Sequence, residues 1–332
     1  MVSQEKLQDK TGRSITYLRL SVTDRCNLKC QYCMPQNNFA WLSHEEILRF
    51  EEIQMLCQAF AELGIRKIRL TGGEPLVRKD IVDLAGMVSG IESIEEVCLT
   101  TNGVLLEKFA QDLFDAGITH INISLDTLKP ERFFKITGRD CFSMVWSGIK
   151  KAIGLFAQVK INSVVMKGIN DDEVVELAGL SLTYPVQIRF IEFMSIGQCS
   201  PWHPSLLVSC DKIKEKVENG LGALDPVPSG KNAGPAAIYK LPGSKGNIGF
   251  ITPVSRHFCA TCNRVRITPD GKLRLCLFSD KEIDLKTSLR QGITQEELTE
   301  LLREAILRKP VGYKEVLEKT KGCQRSMSRI GG

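Results

Sequence analysis

The sequence predicts an α/β protein: a partial, six-unit βα barrel of the TIM type, with a smaller C-terminal domain closing its open side. Three observations carry this. A short β-rich run, a Gly or Asn turn and a helical stretch recur six times between residues 15 and 193. Within the β-rich runs, polar and apolar residues alternate. The 332 residues suffice for one large α/β unit and a smaller appendage.

The expected strands are YLRLSV (17–22), IRKIRL (65–70), EVCLT (96–100), HINISLD (120–126), VKINSVV (159–165) and VQIRFIEF (186–193). Strands alternating with helices pair in parallel through right-handed crossovers. The clearest linking helix is expected to start at Ser43, with Glu46 completing a capping box, and to stop at Gly64.

Strands of a closed eight-fold barrel are buried on both faces and read as nearly continuous Val, Ile and Leu. These strands differ. Leu18, Leu20, Ile68, Leu70, Val97, Leu99, Ile121, Ile123, Val159, Ile161, Ile188 and Phe190 share one face, suited to packing beneath helices. The opposite face carries Arg19, Ser21, Lys67, Arg69, Thr100, Asn122, Ser124, Asp126, Lys160, Asn162, Gln187 and Arg189. A parallel arrangement turns that face into a polar lumen. Five of its twelve residues are Arg or Lys, which predicts a ligand with several negative charges, most simply a polyphosphate. Ligands in such folds sit at the carboxyl ends of the strands, where CNLKCQYC (26–33), TGGEP (71–75) and TNG (101–103) gather. Gly72 and Gly73 are expected to let backbone approach the ligand closely.

Composition is that of an ordinary soluble chain, 43% hydrophobic and 25% charged. It has no apolar run near 18 residues and no signal-peptide pattern, which predicts a cytoplasmic protein without a membrane anchor. A net charge of +5 is too mild to predict nucleic-acid binding. Twelve cysteines without a secretion signal point to reduced thiols that ligate metal or fill the core.

Cys26, Cys30 and Cys33 are spaced C-x3-C-x2-C, one thiolate short of the usual complement of a structural zinc or an iron-sulfur cluster. The deficit suggests that a small molecule completes the site. Downstream, FCATCNRVRITPDGKLRLC sets Cys259, Cys262 and Cys276 at C-x2-C-x13-C. Neither His257 nor Cys323 is placed to supply a fourth ligand. Spacing leaves two readings open there: a zinc ribbon lacking a ligand, or a second cluster whose open iron binds substrate. Arg264 and Arg266 lie two apart in the expected strand RVRIT and so project from one face beside this triad. Cys57, Cys98, Cys141, Cys199, Cys210 and Cys323 read as small core hydrophobes.

From Leu221 to Gly249 the density of Gly and Pro marks a linker with one hairpin, AIYKL to NIGFI, which places a boundary near 225. Residues 1–225 form the expected core domain and 226–332 the C-terminal one. There, a helix capped by Thr294 and Glu297 ends before Pro310. The chain finishes RIGG, an unhindered tail able to thread into a narrow pocket.

CNLKCQYC followed by GGEP resembles the radical S-adenosylmethionine (SAM) superfamily. TDRCNLKCQYCMP, IRLTGGEPLVR, the second triad with its arginines and the diglycine end together are similar to the branch of that superfamily that cyclises GTP in molybdenum cofactor biosynthesis. The resemblance implies two 4Fe-4S clusters, one on Cys26, Cys30 and Cys33 that binds SAM, one on Cys259, Cys262 and Cys276 that binds substrate. It implies that Tyr32, Gly73, Ser124 and Met194 line the SAM site, and that Arg19, Arg69, Thr100, Lys160, Arg264 and Arg266 contact GTP, helped by Lys67 and Arg189. No side chain is implied as acid, base or nucleophile; the protein positions the reactants and excludes solvent. A flavodoxin- or ferredoxin-type electron donor and a downstream cyclic pyranopterin monophosphate synthase are the implied partners, with room for a homodimer. Two rivals remain open: a peptide-modifying radical SAM enzyme, which has no need of a basic lumen, and a zinc-ribbon binding module without activity.

Overall fold

The computed structural model describes residues 7–33, 40–197, 201–228, 234–319 and 323–331. Its first two thirds contain the six expected strands: β1 (Tyr17–Ser21), β2 (Lys67–Thr71), β3 (Glu96–Thr101), β4 (His120–Ser124), β5 (Gln158–Val165) and β6 (Val186–Glu192). They pair in sequence order, all parallel. Between them run α1 (Phe50–Glu62), α2 (Ile81–Ser89), α3 (Leu106–Asp115), α4 (Pro130–Thr137), α5 (Phe142–Ile153) and α6 (Val174–Thr183). The apolar strand face is sealed beneath these helices, where Leu18, Leu20, Ile68, Leu70, Leu99, Ile121, Ile123, Ile188 and Phe190 are fully buried.

The first helix begins later than its sequence signal. Glu46 does accept from the Ser43 amide at 2.8 Å, but on a turn, and α1 starts at Phe50 with Glu52 accepting from the Arg49 amide at 2.7 Å. Tertiary contacts account for the delay. The Leu48 amide donates to the Pro269 carbonyl at 2.9 Å, while Lys286 and Arg290 donate to the carbonyls of Glu46 and Glu45, so the backbone groups a helix would use are already taken. Gly64 ends the segment as expected, with φ of +98°.

After β6 come α7 (Cys210–Leu221) and the strands β7 (Asp225–Val227), β8 (Ala237–Lys240) and β9 (Asn247–Ile251); the last two form the expected hairpin. β10 (Arg264–Ile267), β11 (Lys272–Arg274) and β12 (Ile283–Asp284) precede α8 (Lys286–Arg290) and α9 (Gln295–Ile306), whose capping box joins Thr294 and Glu297. Two short helices, α10 (Tyr313–Lys319) and α11 (Met327–Ile330), finish the described chain. This C-terminal part extends the sheet at both edges. β9 pairs in parallel with β6 and β10 in parallel with β1, giving the order β12-β11-β10-β1-β2-β3-β4-β5-β6-β9-β8-β7. The second cysteine triad is thereby carried to the lumen beside the first strand. Among the described residues, no helix is long and apolar enough to cross a membrane.

Candidate active site

Strand register fixes the cations of the lumen. Arg19 of β1 lies opposite Arg266 of β10 on one side and Arg69 of β2 on the other, so three arginines form a row across three strands. Register also aligns Asn122 with Lys160 and Asn162 with Arg189. These side chains, with Lys67, line a cavity of about 210 Å³ that reaches Cys259, Cys262, Cys276 and Arg264. Some of the charge is held in place by neutral groups: Arg69 donates to the Tyr17 hydroxyl at 2.5 Å and to the Leu99 carbonyl at 3.0 Å, and Arg189 to Asn162 Oδ1 at 2.9 Å. Burial and mutual repulsion lower the proton affinity of Arg19, Lys160, Arg189 and Arg266, whereas at Arg69 the Tyr17 oxygen outweighs burial and raises it. Arg189 and Arg266 fall to about 9, Arg19 to about 10, and Lys160, buried beside Arg189, Arg69 and Lys67, to about 7. Arg266 Nε and Asn122 Oδ1 are buried without a hydrogen-bond partner among the described residues. Such crowding is costly in an empty lumen and is relieved by a polyanion.

A second cavity, about 200 Å³, is bounded by Cys26, Cys30, Tyr32, Cys33, Gly72, Gly73, Ser124, Asp126 and Thr100. Asn162, Ile191, Met194 and Met327 line both cavities, so the two triads open into one lumen from its two ends. Thr100 lies on the side of the first triad, at 3.5 Å from Arg69 Nη1.

Three loops are bolted together around Cys26, Cys30 and Cys33. Glu74 accepts from Leu76 N, Thr101 Oγ1 and Asn102 N at 3.0, 2.8 and 2.6 Å, and Asn102 donates to Asn27 Oδ1 at 2.7 Å. The glycines of TGGEP serve this assembly. A Cβ on Gly72 would sit 2.6 Å from the Thr23 carbonyl oxygen, and one on Gly73 would collide with the carbonyls of Asp24 and Arg25. They line the cavity, and the close approach the structure shows at them is to the cysteine loop's own backbone.

The thiols of both triads are half-buried and free of disulfides. In each triad at least one sulfur pair lies more than 4.8 Å apart, since among the described residues only Glu96, Cys98 and His120 form a tighter group. Thiolates on one tetrahedral zinc would be roughly 3.8 Å apart, so neither triad is gathered as tightly as a single zinc requires. Their electrostatics differ. Burial pushes Cys26 up to about 11 and Cys33 to about 12, with Glu74 and Asp126 adding to the effect. At Cys262 burial acts the same way, but Arg264 and Lys309 overcome it and bring the thiol down to about 6.

Cys98 is fully buried, as the core reading expects, on the polar face of β3, across from His120 and 4.0 Å from Glu96 Oε2. Glu96 also holds Lys67, its neighbour on β2. Cys57 and Cys210 are in the core as expected; Cys199 lies outside the described residues. Gly331 rests against Thr71 and Ser21 at the carboxyl end of the lumen, and Gly332 lies outside the described residues. Sequence reasoning missed Arg13, Tyr17 and Lys309 on the wall of the larger cavity. Strand parity could have found Tyr17, two residues before Arg19; nothing local marks the other two.

An arc of parallel βα units with a three-cysteine loop at the end of its first strand is the architecture of a radical SAM enzyme. Residues 20–180 match the radical SAM superfamily, and residues 186–315 match the family described as molybdenum cofactor synthesis C. The solved structure of Streptococcus suis SuiB bound to S-adenosylmethionine shares the fold, with a TM-score of 0.65 at 14% identity over 94% of this chain and 76% of that one. The chain is 49% identical to the GTP 3′,8-cyclase of Thermodesulfovibrio yellowstonii, over 98% of its length and 100% of the relative's. It is 46% identical to that of Desulforamulus reducens, over 98% and 99%. The chain belongs to the GTP 3′,8-cyclase family. That family's radical SAM chemistry implies a 4Fe-4S cluster and SAM.

Proposed function

We propose that this protein is a radical SAM lyase that converts GTP to (8S)-3′,8-cyclo-7,8-dihydroguanosine 5′-triphosphate in molybdenum cofactor biosynthesis. Cys26, Cys30 and Cys33 ligate one 4Fe-4S cluster, and Tyr32, Gly73, Ser124 and Met194 seat SAM beside it. Cys259, Cys262 and Cys276 ligate a second cluster. With a cluster and SAM bound, the site would supply a 5′-deoxyadenosyl radical for hydrogen removal at C3′ of the ribose; the C3′ radical would add to C8 of the guanine, and one electron from the external donor with one proton would complete the dihydro product.

The chain's own residues do the holding. Arg19, Arg69, Lys160 and Arg266, with Lys67 and Arg189 as helpers, neutralise the triphosphate on the lumen wall, and Arg264 anchors the end next to the second triad. Thr100 and Met194 stand where the nucleoside would meet SAM. Tyr32 donates to Asp126 at 2.5 Å, and Asp126 accepts from the Val164 amide at 2.8 Å, which stiffens the cysteine loop from strand β5. A shared, walled lumen keeps water from the reacting carbons. In this reading residues 1–225 cleave SAM and residues 226–332 hold the base. A flavodoxin- or ferredoxin-type protein would deliver electrons, and a cyclic pyranopterin monophosphate synthase would take the product.

The observation that supports this most is two cysteine triads, each one ligand short, opening from opposite ends into one lumen with a row of three arginines. Anaerobic incubation of the reconstituted protein with SAM, reductant and GTP should yield 5′-deoxyadenosine and a cyclised nucleotide in step. Deoxyadenosine without a cyclised nucleotide would reject GTP as the substrate.

A further inference from the structure

Lys309 follows α9 at the start of a Lys-Pro pair, and its side chain is only 2% exposed. Its ammonium donates to the carbonyl of Arg264 at 2.8 Å and to that of Leu275. Arg264 stands two residues after Cys262 and Leu275 one before Cys276, so a single cation ties together two arms of the second triad. An ammonium has three protons to donate, and Lys309 lines the cavity beside Cys262 and Cys276.

A buried ammonium carries a heavy desolvation penalty unless an opposite charge meets it. No carboxylate pairs with Lys309 among the described residues; burial works against its charge, the thiols of Cys262 and Cys276 favour it, and Arg13 and Arg266 oppose it. Arg13 makes an instructive contrast. It fastens the third arm, donating to the Cys259 carbonyl at 2.8 Å, but its charge is already matched by Asp9 at 2.5 Å. The first triad has the opposite surroundings, with Glu74 and Asp126 close to its thiols. Arg264 reaches the Cys262 sulfur at 3.8 Å from the cavity side, and Lys309 sets a second positive charge, buried in the wall, against the same triad.

We propose that Lys309 is the counter-charge of the Cys259, Cys262 and Cys276 site and sets the cluster held there at a higher reduction potential than its partner on Cys26, Cys30 and Cys33. Reduction adds negative charge to a cluster, and a fixed cation in a low-dielectric wall stabilises the reduced form. Lys309 acts here as a positioning and tuning residue that need not touch the reacting carbons. The proposal rests on the two-cluster reading above.

The test is an anaerobic redox titration of the reconstituted holoenzyme followed by electron paramagnetic resonance, with iron counted on the same sample. Two clusters require about eight irons per chain. Four irons in the unaltered protein would refute the two-cluster reading itself, a failure distinct from that of the Lys309 proposal. The signal that responds to SAM reports the first cluster and the other reports the second, which should titrate at the higher potential. Lys309→Met should move only the SAM-insensitive signal to more negative potential, and Lys309→Arg should leave it in place. With full iron, an unmoved signal in Lys309→Met, or equal movement of both signals, overturns the proposal. If Lys309→Met loads only four irons, Lys309→Arg decides. Full loading at the unaltered potential supports the role of charge, and loss of the cluster there as well overturns it.

Discussion

Replacing Lys160 by methionine should weaken GTP binding and also remove most of its pH dependence. Lys160 is buried near Arg189, Arg69 and Lys67, and that burial, reinforced by repulsion, lowers its pKa to about 7. A triphosphate favours the charged form, so binding draws a proton onto the side chain. The sign follows: below pH 7 the free protein already carries the charge, and above it each bound GTP must recruit a proton. Between pH 6 and pH 8 the protonated fraction of free Lys160 falls about tenfold, so affinity should fall by the same factor, about 1.4 kcal/mol. Ionisation of the γ-phosphate in the same range acts in the opposite direction, but it is common to both proteins. The ratio of unaltered to Lys160→Met affinity isolates the lysine. Calorimetry of GTP binding without reductant, in buffers of different ionisation enthalpy, should show the unaltered protein taking up more protons than the variant, by about half a proton at pH 7 and about 0.9 at pH 8. Equal pH slopes in both proteins, or equal proton uptake, would refute the picture of a half-discharged lysine in the lumen.

Arg264→Ala and Arg266→Ala should still release 5′-deoxyadenosine from SAM while losing GTP turnover by a hundredfold or more, on the order of 3 kcal/mol for a buried charge-assisted contact; Cys26→Ala should lose both activities. Chromatography of the quenched reaction separates these outcomes. Gly72→Ala places a methyl 2.6 Å from the Thr23 carbonyl, a backbone atom that cannot turn aside. It should cost about 2–3 kcal/mol, lower the melting temperature and roughly halve the iron content, checked by calorimetry and iron analysis. Gly331 has φ of +75°, and a methyl there would meet Thr71 Cγ2 at 2.8 Å. Gly331→Ala should leave iron content unchanged and reduce cyclised product roughly tenfold, as the strain of 1–2 kcal/mol unseats the tail. Normal product from a chain lacking both terminal glycines would remove the tail from the site.

Much of the lumen was legible because strand parity depends only on the period of two. Arg19, Arg69 and Lys160 could be assigned to it without knowing what lay opposite, and all three line the larger cavity. Cys98 was legible in principle, since it shares parity with Thr100, but its apolar character hid it. Parity could not give the row of Arg266, Arg19 and Arg69, which depends on β10 joining the edge of β1 from the far end of the chain. Lys309 was invisible for a related reason. A lysine before a proline at a helix end is ordinary on a surface, and only the packing of α9's exit against β10 and β11 buries it. The helix expected from Ser43 failed where backbone groups of 45–48 found partners 220 or more residues away, which no local signal encodes.

The parallel pairing of Tyr17 with Arg264 has a consequence for synthesis. One edge of the first strand must wait for a partner made about 250 residues later, roughly 12–50 s at ribosomal speeds. During that interval β1 can pair only with β2, and its other edge offers unpaired amides and carbonyls to any neighbouring nascent chain. Its Arg19 blunts that edge with a charge, as exposed edges elsewhere are blunted. A charged side chain disfavours pairing at an open edge, so Arg19, on the lumen wall of the finished protein, is also suited to keep β1 from pairing wrongly until β10 covers it.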